Sequence, residues 1–261
     1  MSYLRLLGAF FRVSVLAELA YRINFFVQLF ESVLELGTAL AGLAVIFSYT
    51  DRLGDWSPDE VLALVGIFFL VGGLIGLVIQ PGMGLLIDSV RDGTLDFTLT
   101  KPEDAQLLVS IQHVEIWKLI DLVLGAGVLA AALIRLGERV GGGQAAVFAA
   151  MLLAGGAIIY SFWLILATLS FWFVRVENIL EIFRSMYEAG RWPVTLYPGW
   201  LRFALTFVVP VAFATTVPAE ALTGRLSEPT LLGAVALAVF LVVVSRLFWQ
   251  LGLRHYSGTS A

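Results

Sequence analysis

The chain has 261 residues, 59% hydrophobic and 14% charged, with a mean hydropathy of +0.92, an apolar share too large for the surface of a soluble domain. A net charge of −4 leaves no basic stripe to neutralise phosphates, which excludes nucleic acid as a partner. Cysteine is absent, which excludes disulfides and thiolate metal sites, and two isolated histidines, His113 and His255, give no imidazole cluster, so no metal is expected.

Residues 1–22 set Arg5, Arg12, Glu18 and Arg22 among leucines and phenylalanines. The charges break any apolar core of secretory-signal length, and the pattern predicts an amphipathic helix on the membrane surface, with a cytosolic extension of the first span as the alternative. Phe25 to Ser48 is the first predicted span, longer than the ~20 residues a hydrocarbon core requires. Along it Asn24, Gln28, Glu31, Glu35 and Thr38 recur at spacings of three and four, which places them in one stripe. Two readings fit: a stripe lining a pathway or subunit seam, or Glu31 at the headgroups with Glu35 paired to an arginine of the same chain. Ser57 and Pro58 form a cap and first turn ahead of the second span, about Val61 to Ile79, whose Gly72 and Gly76 form a GxxxG pair suited to close helix packing.

A polar insert follows within a cytosolic loop over 80–118. The stretch Asp88 to Pro102, DSVRDGTLDFTLTKP, carries Asp88, Arg91, Asp92, Asp96 and Lys101, too much charge for hydrocarbon. Gly93 is suited to ending a short helix over Leu85 to Val90 and Pro102 to closing an extended piece, in which Leu95, Phe97 and Leu99 alternate with Asp96 and Thr98. An apolar side on a solvated loop is either a docking surface or a connector resting on its own membrane domain. An amphipathic stretch from Glu103 to Lys118 leads on, and Glu115, Lys118 and Asp121, three apart, suggest an interfacial ladder of charges.

The third span is predicted at about Leu119 to Leu136 and the fourth over Ala145 to Val174, with a glycine-rich turn at Glu138 to Gln144 between them. The fourth run exceeds a simple span, through tilt or through an aromatic anchor at Phe171, Trp172 and Phe173. Arg175 to Gly199 reads as a second cytosolic connector, a helix bearing Glu177, Glu181, Arg184 and Glu188 at helical spacing. The fifth span is placed at Leu201 to Val217, kinked at Pro210, and the sixth at Leu231 to Leu251. With this topology twelve of the 16 basic residues are cytosolic and Arg52, Arg135, Arg139 and Arg225 lie outside, which sets both termini inside. The predicted fold is a single all-α integral membrane domain of six transmembrane helices with an N-terminal interfacial helix.

The segments VRDGTLDFTLTKP at 90–102 and YPGWLRFALTFVVPVAFATTVPAEALTGRLS at 197–227 resemble the ABC-2 type permeases of ATP-binding-cassette exporters. The likeness is greatest to a six-span bacterial subgroup in which two permease chains work with a separate ATPase. The resemblance implies a transmembrane permease subunit of the bacterial cytoplasmic membrane, in contact with membrane lipid, with partners in two copies of a cytosolic ABC ATPase and a second permease chain, identical or homologous. The chain has no GxxxxGK[ST] phosphate loop, so ATP and Mg are expected on the ATPase, with no cofactor and no catalytic residue here. By the same resemblance Asp88, Arg91, Asp92, Gly93, Leu95, Asp96, Phe97, Leu99 and Pro102 form the ATPase-docking element, and Gln28, Glu31, Glu35 and Pro210 border the translocation path or subunit seam. The competing classes are a stand-alone ion-coupled secondary transporter, which needs ionisable groups near the bilayer midplane, and an intramembrane enzyme, for which no convergent acid, base or nucleophile set stands out.

Overall fold

A computed structural model describes residues 22–137, 141–173 and 177–256, together with Gly8, Arg12, Val15 and Leu16. The surface helix expected over residues 1–22 lies almost wholly outside the described residues, as do part of the turn at Glu138 to Gln144 and Val174 at the end of the fourth apolar run. The described residues form helices and connecting turns, with no strand among them.

Helix α1 is Arg22–Tyr49. After a turn in which Leu53 and Trp56 exchange backbone hydrogen bonds of 2.9 and 3.1 Å, α2 runs from Pro58 to Arg91. Its start is fixed by Pro58 at the first position and by Glu60, whose Oε2 accepts the Ser57 N–H at 2.7 Å. Residues Val61 to Phe69 are buried around the whole circumference, so α2 is the central post of the bundle. At 34 residues it is about 51 Å long, well beyond the ~30 Å hydrocarbon core.

The sequence predicts that this helix stops at Ile79 and that a separate short helix carries Leu85 to Val90; the structure joins them. Pro81 has no N–H for the Leu77 carbonyl, and its ring crowds that oxygen. The helix widens into a π turn over Ile75–Ile79, with the Gln80 N–H reaching back to the Ile75 carbonyl, and then resumes. The released Leu77 oxygen accepts the Glu115 N–H at 3.0 Å, which ties the far end of the loop to α2.

Two short helices follow, α3 (Asp96–Leu99) and α4 (Ala105–Ile111), then α5 (Leu119–Leu136). Helices α2 and α5 make a close backbone contact. A Cβ on Gly66 would lie 2.6 Å from the Leu129 nitrogen, and one on Gly125 would lie 2.6 Å from the Leu70 nitrogen. The glycine pair singled out in the sequence also packs within the chain, Gly72 against the Tyr187 ring and Gly76 against the Lys118 side chain. Helix α6 (Gly142–Thr168) returns and ends in a 3₁₀ turn over Leu169–Phe171, where Phe171 meets Trp249 and Trp172 stacks on Phe248.

The fifth crossing departs from the expected one. The segment that begins with α7 (Glu177–Tyr187), read from sequence as a cytosolic connector, passes through the bundle from end to end. Glu181 lies beside Gln80, Gly84 and Asp88 at the end that carries the insert, here called the loop end. Tyr187 stacks on Phe68 with ring centroids 4.9 Å apart and donates to the Phe68 carbonyl at 2.9 Å, about 15 Å below the start of α2. Thr195 Oγ1 accepts from the Trp56 indole at 3.2 Å, and Leu196 touches the Cβ position of Gly54, both at the opposite end. The crossing is complete before Tyr197.

The apolar stretch predicted as the fifth span, 201–217, is therefore a re-entrant hairpin. Helix α8 (Gly199–Val208) and helix α9 (Val211–Leu222) meet at 70°. Pro210, at φ −73° and ψ 47°, closes an inverse γ-turn in which the Val211 N–H donates to the Val209 carbonyl at 2.6 Å. Length and apolarity alone also allow one broken span, but both ends of the pair lie at the same end of the bundle. Arg202 donates to the Thr195 carbonyl beside α8, and beyond α9 Arg225 pairs with Glu60 and Gly224 abuts Gln144. The tip reaches mid-depth, where Val211 fills the space left by Gly190 and the Phe213 carbonyl sits against Gly155. Proline at 210 thus marks a reversal rather than a kink. Helix α10 (Glu228–His255) makes the last crossing back to the loop end.

The correction redistributes charge. Lys118, Arg184 and Arg191 move from the cytosolic count into the bundle and Arg202 moves to the opposite end, so twelve against four becomes eight against five. The sign of the bias is unchanged.

Candidate functional site

The insert is a compact, capped unit at the loop end. Gly93, at φ +69°, reverses the chain after α2, and the Ser89 carbonyl accepts the N–H groups of Thr94 and Leu95 at 2.9 and 3.2 Å. The residues beyond form the single helical turn α3, and the extended piece expected from the alternation of Leu95, Phe97 and Leu99 is absent. With a period near three, Leu95 and Thr98 turn inward and are buried, while Phe97, 75% exposed, and Leu99 project outward with Asp96 partly exposed between them. Arg91 bridges Asp88 at 2.7 Å and Asp92 at 3.3 Å, and Pro102 is exposed where the chain leaves the unit.

A second set of contacts bolts the insert to helices remote in sequence. Asp104 caps α4, accepting the Leu107 N–H at 3.1 Å, and its two oxygens also take the guanidinium of Arg246 on α10, Nη1 at 3.0 Å from Oδ1 and Nη2 on Oδ2. Gln106 Oε1 accepts from the same Nη1 at 2.8 Å, while Gln106 Nε2 donates to Tyr160 on α6 at 3.3 Å, and Tyr160 also meets Ser110 at 2.8 Å. The hydrogen bond from Arg246 holds the Asp104 carboxyl below the usual aspartate range. Movement of the insert is thereby shared with α6 and α10 as well as with α2 and α5.

The second cluster lies at bilayer depth between α1, α5 and the fifth crossing. Arg191 Nη2 reaches Glu35 Oε1 at 2.5 Å and Glu188 Oε2 at 2.7 Å, and the guanidinium lies 5.2 Å from the Phe68 ring centroid. One turn toward the loop end, Gln28 Nε2 donates to Ser32 Oγ at 2.9 Å, Ser32 donates to Asp121 Oδ1, and Lys118 Nζ donates to Asp121 Oδ2 at 3.2 Å. The spacing of three that suggested a ladder is real for Lys118 and Asp121, whereas Glu115 precedes the helix in an extended conformation, its carbonyl accepting the Lys118 N–H at 3.1 Å. A cleft of about 80 Å³, enough for a few waters, is lined by Glu35, Gly72, Gly76, Lys118, Asp121 and Glu188.

Of the stripe read from the sequence, Gln28 and Glu35 enter this cluster. Glu31, on the same face one turn before Glu35, is exposed, and Thr38 bonds its own helix at the Leu34 carbonyl. Pro210 is buried at the hairpin tip, next to the Gly190 turn of the fifth crossing. Glu35 is thus paired with an arginine of its own chain, one of the two readings left open by the sequence. Arg191, Glu188, Ser32 and Asp104 carry the clusters without having been singled out as site residues. The one sequence signal for the first two is the polar spacing from Glu181 to Glu188, read as a solvated helix. Charged groups at this depth cost several kcal/mol unless paired or wetted, which makes a connected cluster of them a candidate site.

A family model described as ABC-2 family transporter protein matches residues 33–260, which takes in the insert, the hairpin and all of the second cluster but Gln28 and Ser32. No curated protein and no solved structure matches the chain.

Proposed function

Because the chain belongs to the ABC-2 family of transporter proteins, a multi-pass membrane family of ABC-type permeases, we propose that it is the permease subunit of an exporter driven by a separate cytosolic ABC ATPase in two copies. A second permease chain, identical or homologous, completes the assembly in a bacterial cytoplasmic membrane, and ATP and Mg are handled by the ATPase. The observation that carries the proposal is the exposed tip of the insert. Phe97 and Leu99 stand out on the same insert as the charged Asp88, Arg91, Asp92 and Asp96, a unit turned by Gly93 and fastened by the Asp104–Arg246 pair. An apolar anchor inside a charged rim is the anatomy of a docking surface, with the rim setting register and the anchor supplying buried area. Nucleotide-driven closure of two ATPases would tilt the helices joined to the insert and bias the path between inward-open and outward-open arrangements.

The polar face of the fifth crossing supports a path at a seam. Glu181, Arg184 and Ser185 along α7, and Glu188 in the turn after it, are exposed, and hydrocarbon would not tolerate them. They face water or a second chain, with Glu35 and Gln28 of α1 beside them and the Pro210 hairpin above. The test is to reverse Asp92 and Asp96 to lysine and measure co-purification with a co-expressed cognate ABC ATPase. Association should fall while the unfolding midpoint of the permease stays put; unaltered association and transport would remove the docking assignment. A stand-alone ion-coupled transporter has the Glu35–Arg191–Glu188 cluster in its favour, and transport with the ATPase absent would establish it instead.

A further inference from the structure

Away from both clusters, a groove opens between α1 and the α2–α5 pair at the end opposite the insert. One wall is a stripe of α1 at helical spacing, Leu40, Leu43, Ala44 and Phe47; the other is Pro58 and Leu62 of α2 with Val128 and Ala131 of α5. Its volume is about 390 Å³, and Arg135 is its one charged lining residue. Helix α1 is held to the bundle lower down by Ser32 on Asp121, Glu35 on Arg191 and Phe25 against Trp117 at 5.5 Å, and beside the groove Ala39 and Leu43 are buried against the core.

From Val128 to the end of α5 at Leu136 the groove is about 12 Å deep, close to the thickness of one leaflet of a ~30 Å hydrocarbon core. Apolar walls at this depth favour hydrocarbon over water. Arg135 sits at the mouth, in the last turn of α5 and level with the first turn of α2. Its contact with Asp59 is 3.9 Å long and the side chain is 66% exposed, so the guanidinium is available to a stronger acceptor. Arginine presents a planar fork suited to phosphate.

We propose that this groove is a binding site for an anionic phospholipid of the leaflet opposite the insert, with one acyl chain between α1 and α5 and the headgroup phosphate on Arg135. The lipid fills the gap between α1 and the bundle, so its presence supports the helix that carries Glu35. The inference rests on the membrane-spanning fold alone and holds whether or not the permease reads as above.

The test uses the full chain, purified in detergent and stripped of lipid, with phosphatidylglycerol, phosphatidylcholine and inorganic phosphate added in separate arms. Bound lipid per chain is read by native mass spectrometry, and the unfolding midpoint is measured in parallel. Phosphatidylglycerol should be retained and raise the midpoint; Arg135→Gln should weaken retention about tenfold, in keeping with one charge-assisted hydrogen bond. Arg135→Lys should keep most of it, and Ala131→Phe, which fills the groove, should abolish it. Arg52→Gln, an exposed cation on the adjoining loop, should change nothing. Retention of both lipids equally, insensitive to Arg135→Gln, overturns the headgroup assignment. The same midpoint shift from inorganic phosphate alone overturns the lipid, and efficient cross-linking of Ala44→Cys between two chains shows that a second copy occupies the groove.

Discussion

Replacing Arg191 with methionine keeps an unbranched apolar stem and removes the one cation shared by Glu35 and Glu188. Each of the two bonds, at 2.5 and 2.7 Å, is charge-assisted, and such bonds contribute about 1.5–3 kcal/mol apiece. The gross loss is then about 3–6 kcal/mol, with about 0.5–2 kcal/mol more from the Phe68 ring face. Glu35 and Glu188 are about half exposed in the isolated chain, and solvent screening reduces the net destabilisation in detergent to about 1–3 kcal/mol. Thermal unfolding should show a midpoint several degrees lower, at about 2–4 °C per kcal/mol for a chain of this size. The decisive measurement is the double-mutant cycle with Glu35→Gln. If Arg191 fastens the fifth crossing to α1, the two changes together cost less than their sum by about 1 kcal/mol or more. Strict additivity with an unaltered midpoint would mean that the crossing is positioned by Tyr187 and the glycine contacts alone, and the arginine would lose its organising role.

Two further outcomes follow from the geometry. The chain lacks cysteine, so single cysteines report topology cleanly: Thr195→Cys and Trp200→Cys should react with a membrane-impermeant maleimide added from one side, and Asp92→Cys only from the other, whereas a cytosolic connector would put Thr195 on the side of Asp92. The Asp104 carboxyl, held low by Arg246, contributes stability that is fully present above the ordinary aspartate pKa, near ~3.9, and is lost as pH falls through its depressed folded value; the protection factor of α4 against hydrogen exchange, corrected for the intrinsic pH dependence of exchange, should fall below about pH 4 in the wild type and change less over that window in Asp104→Asn.

Helices α1, α2, α5, α6 and α10 were legible because each buries or lipid-exposes a continuous apolar run, the property that hydropathy reads directly. The start of α2 was legible from Ser57 and Pro58, and the turn after it from Gly93, since a positive φ there suits little else. What the pattern misplaced is the fifth crossing. A segment carrying Glu181, Arg184, Glu188 and Arg191 looks solvated by composition, and its tolerance for membrane depth depends on Glu35 and Phe68 contacts that bring together residues more than a hundred positions apart. The hairpin was misplaced for the converse reason. Its residues are as apolar as a true span, and only the partners of Arg202, Gly224 and Arg225 reveal that it enters and leaves at one end. Within the insert, the alternation around Phe97 suggested a strand because a four-residue window cannot distinguish period two from one helical turn. Position in the chain placed the acidic residues and Phe97 outside hydrocarbon whatever their local conformation.

The widened turn at Ile75–Ile79 sets an angle as well as a hydrogen bond. One additional residue in a turn rotates everything after it by about 100° relative to a regular α-helix. The azimuth at which Asp88, Arg91 and the whole tip face the aqueous phase is therefore dialled at Pro81, some ten residues away and inside the bundle, and the Leu77–Glu115 bond is the pin that keeps the dial from slipping.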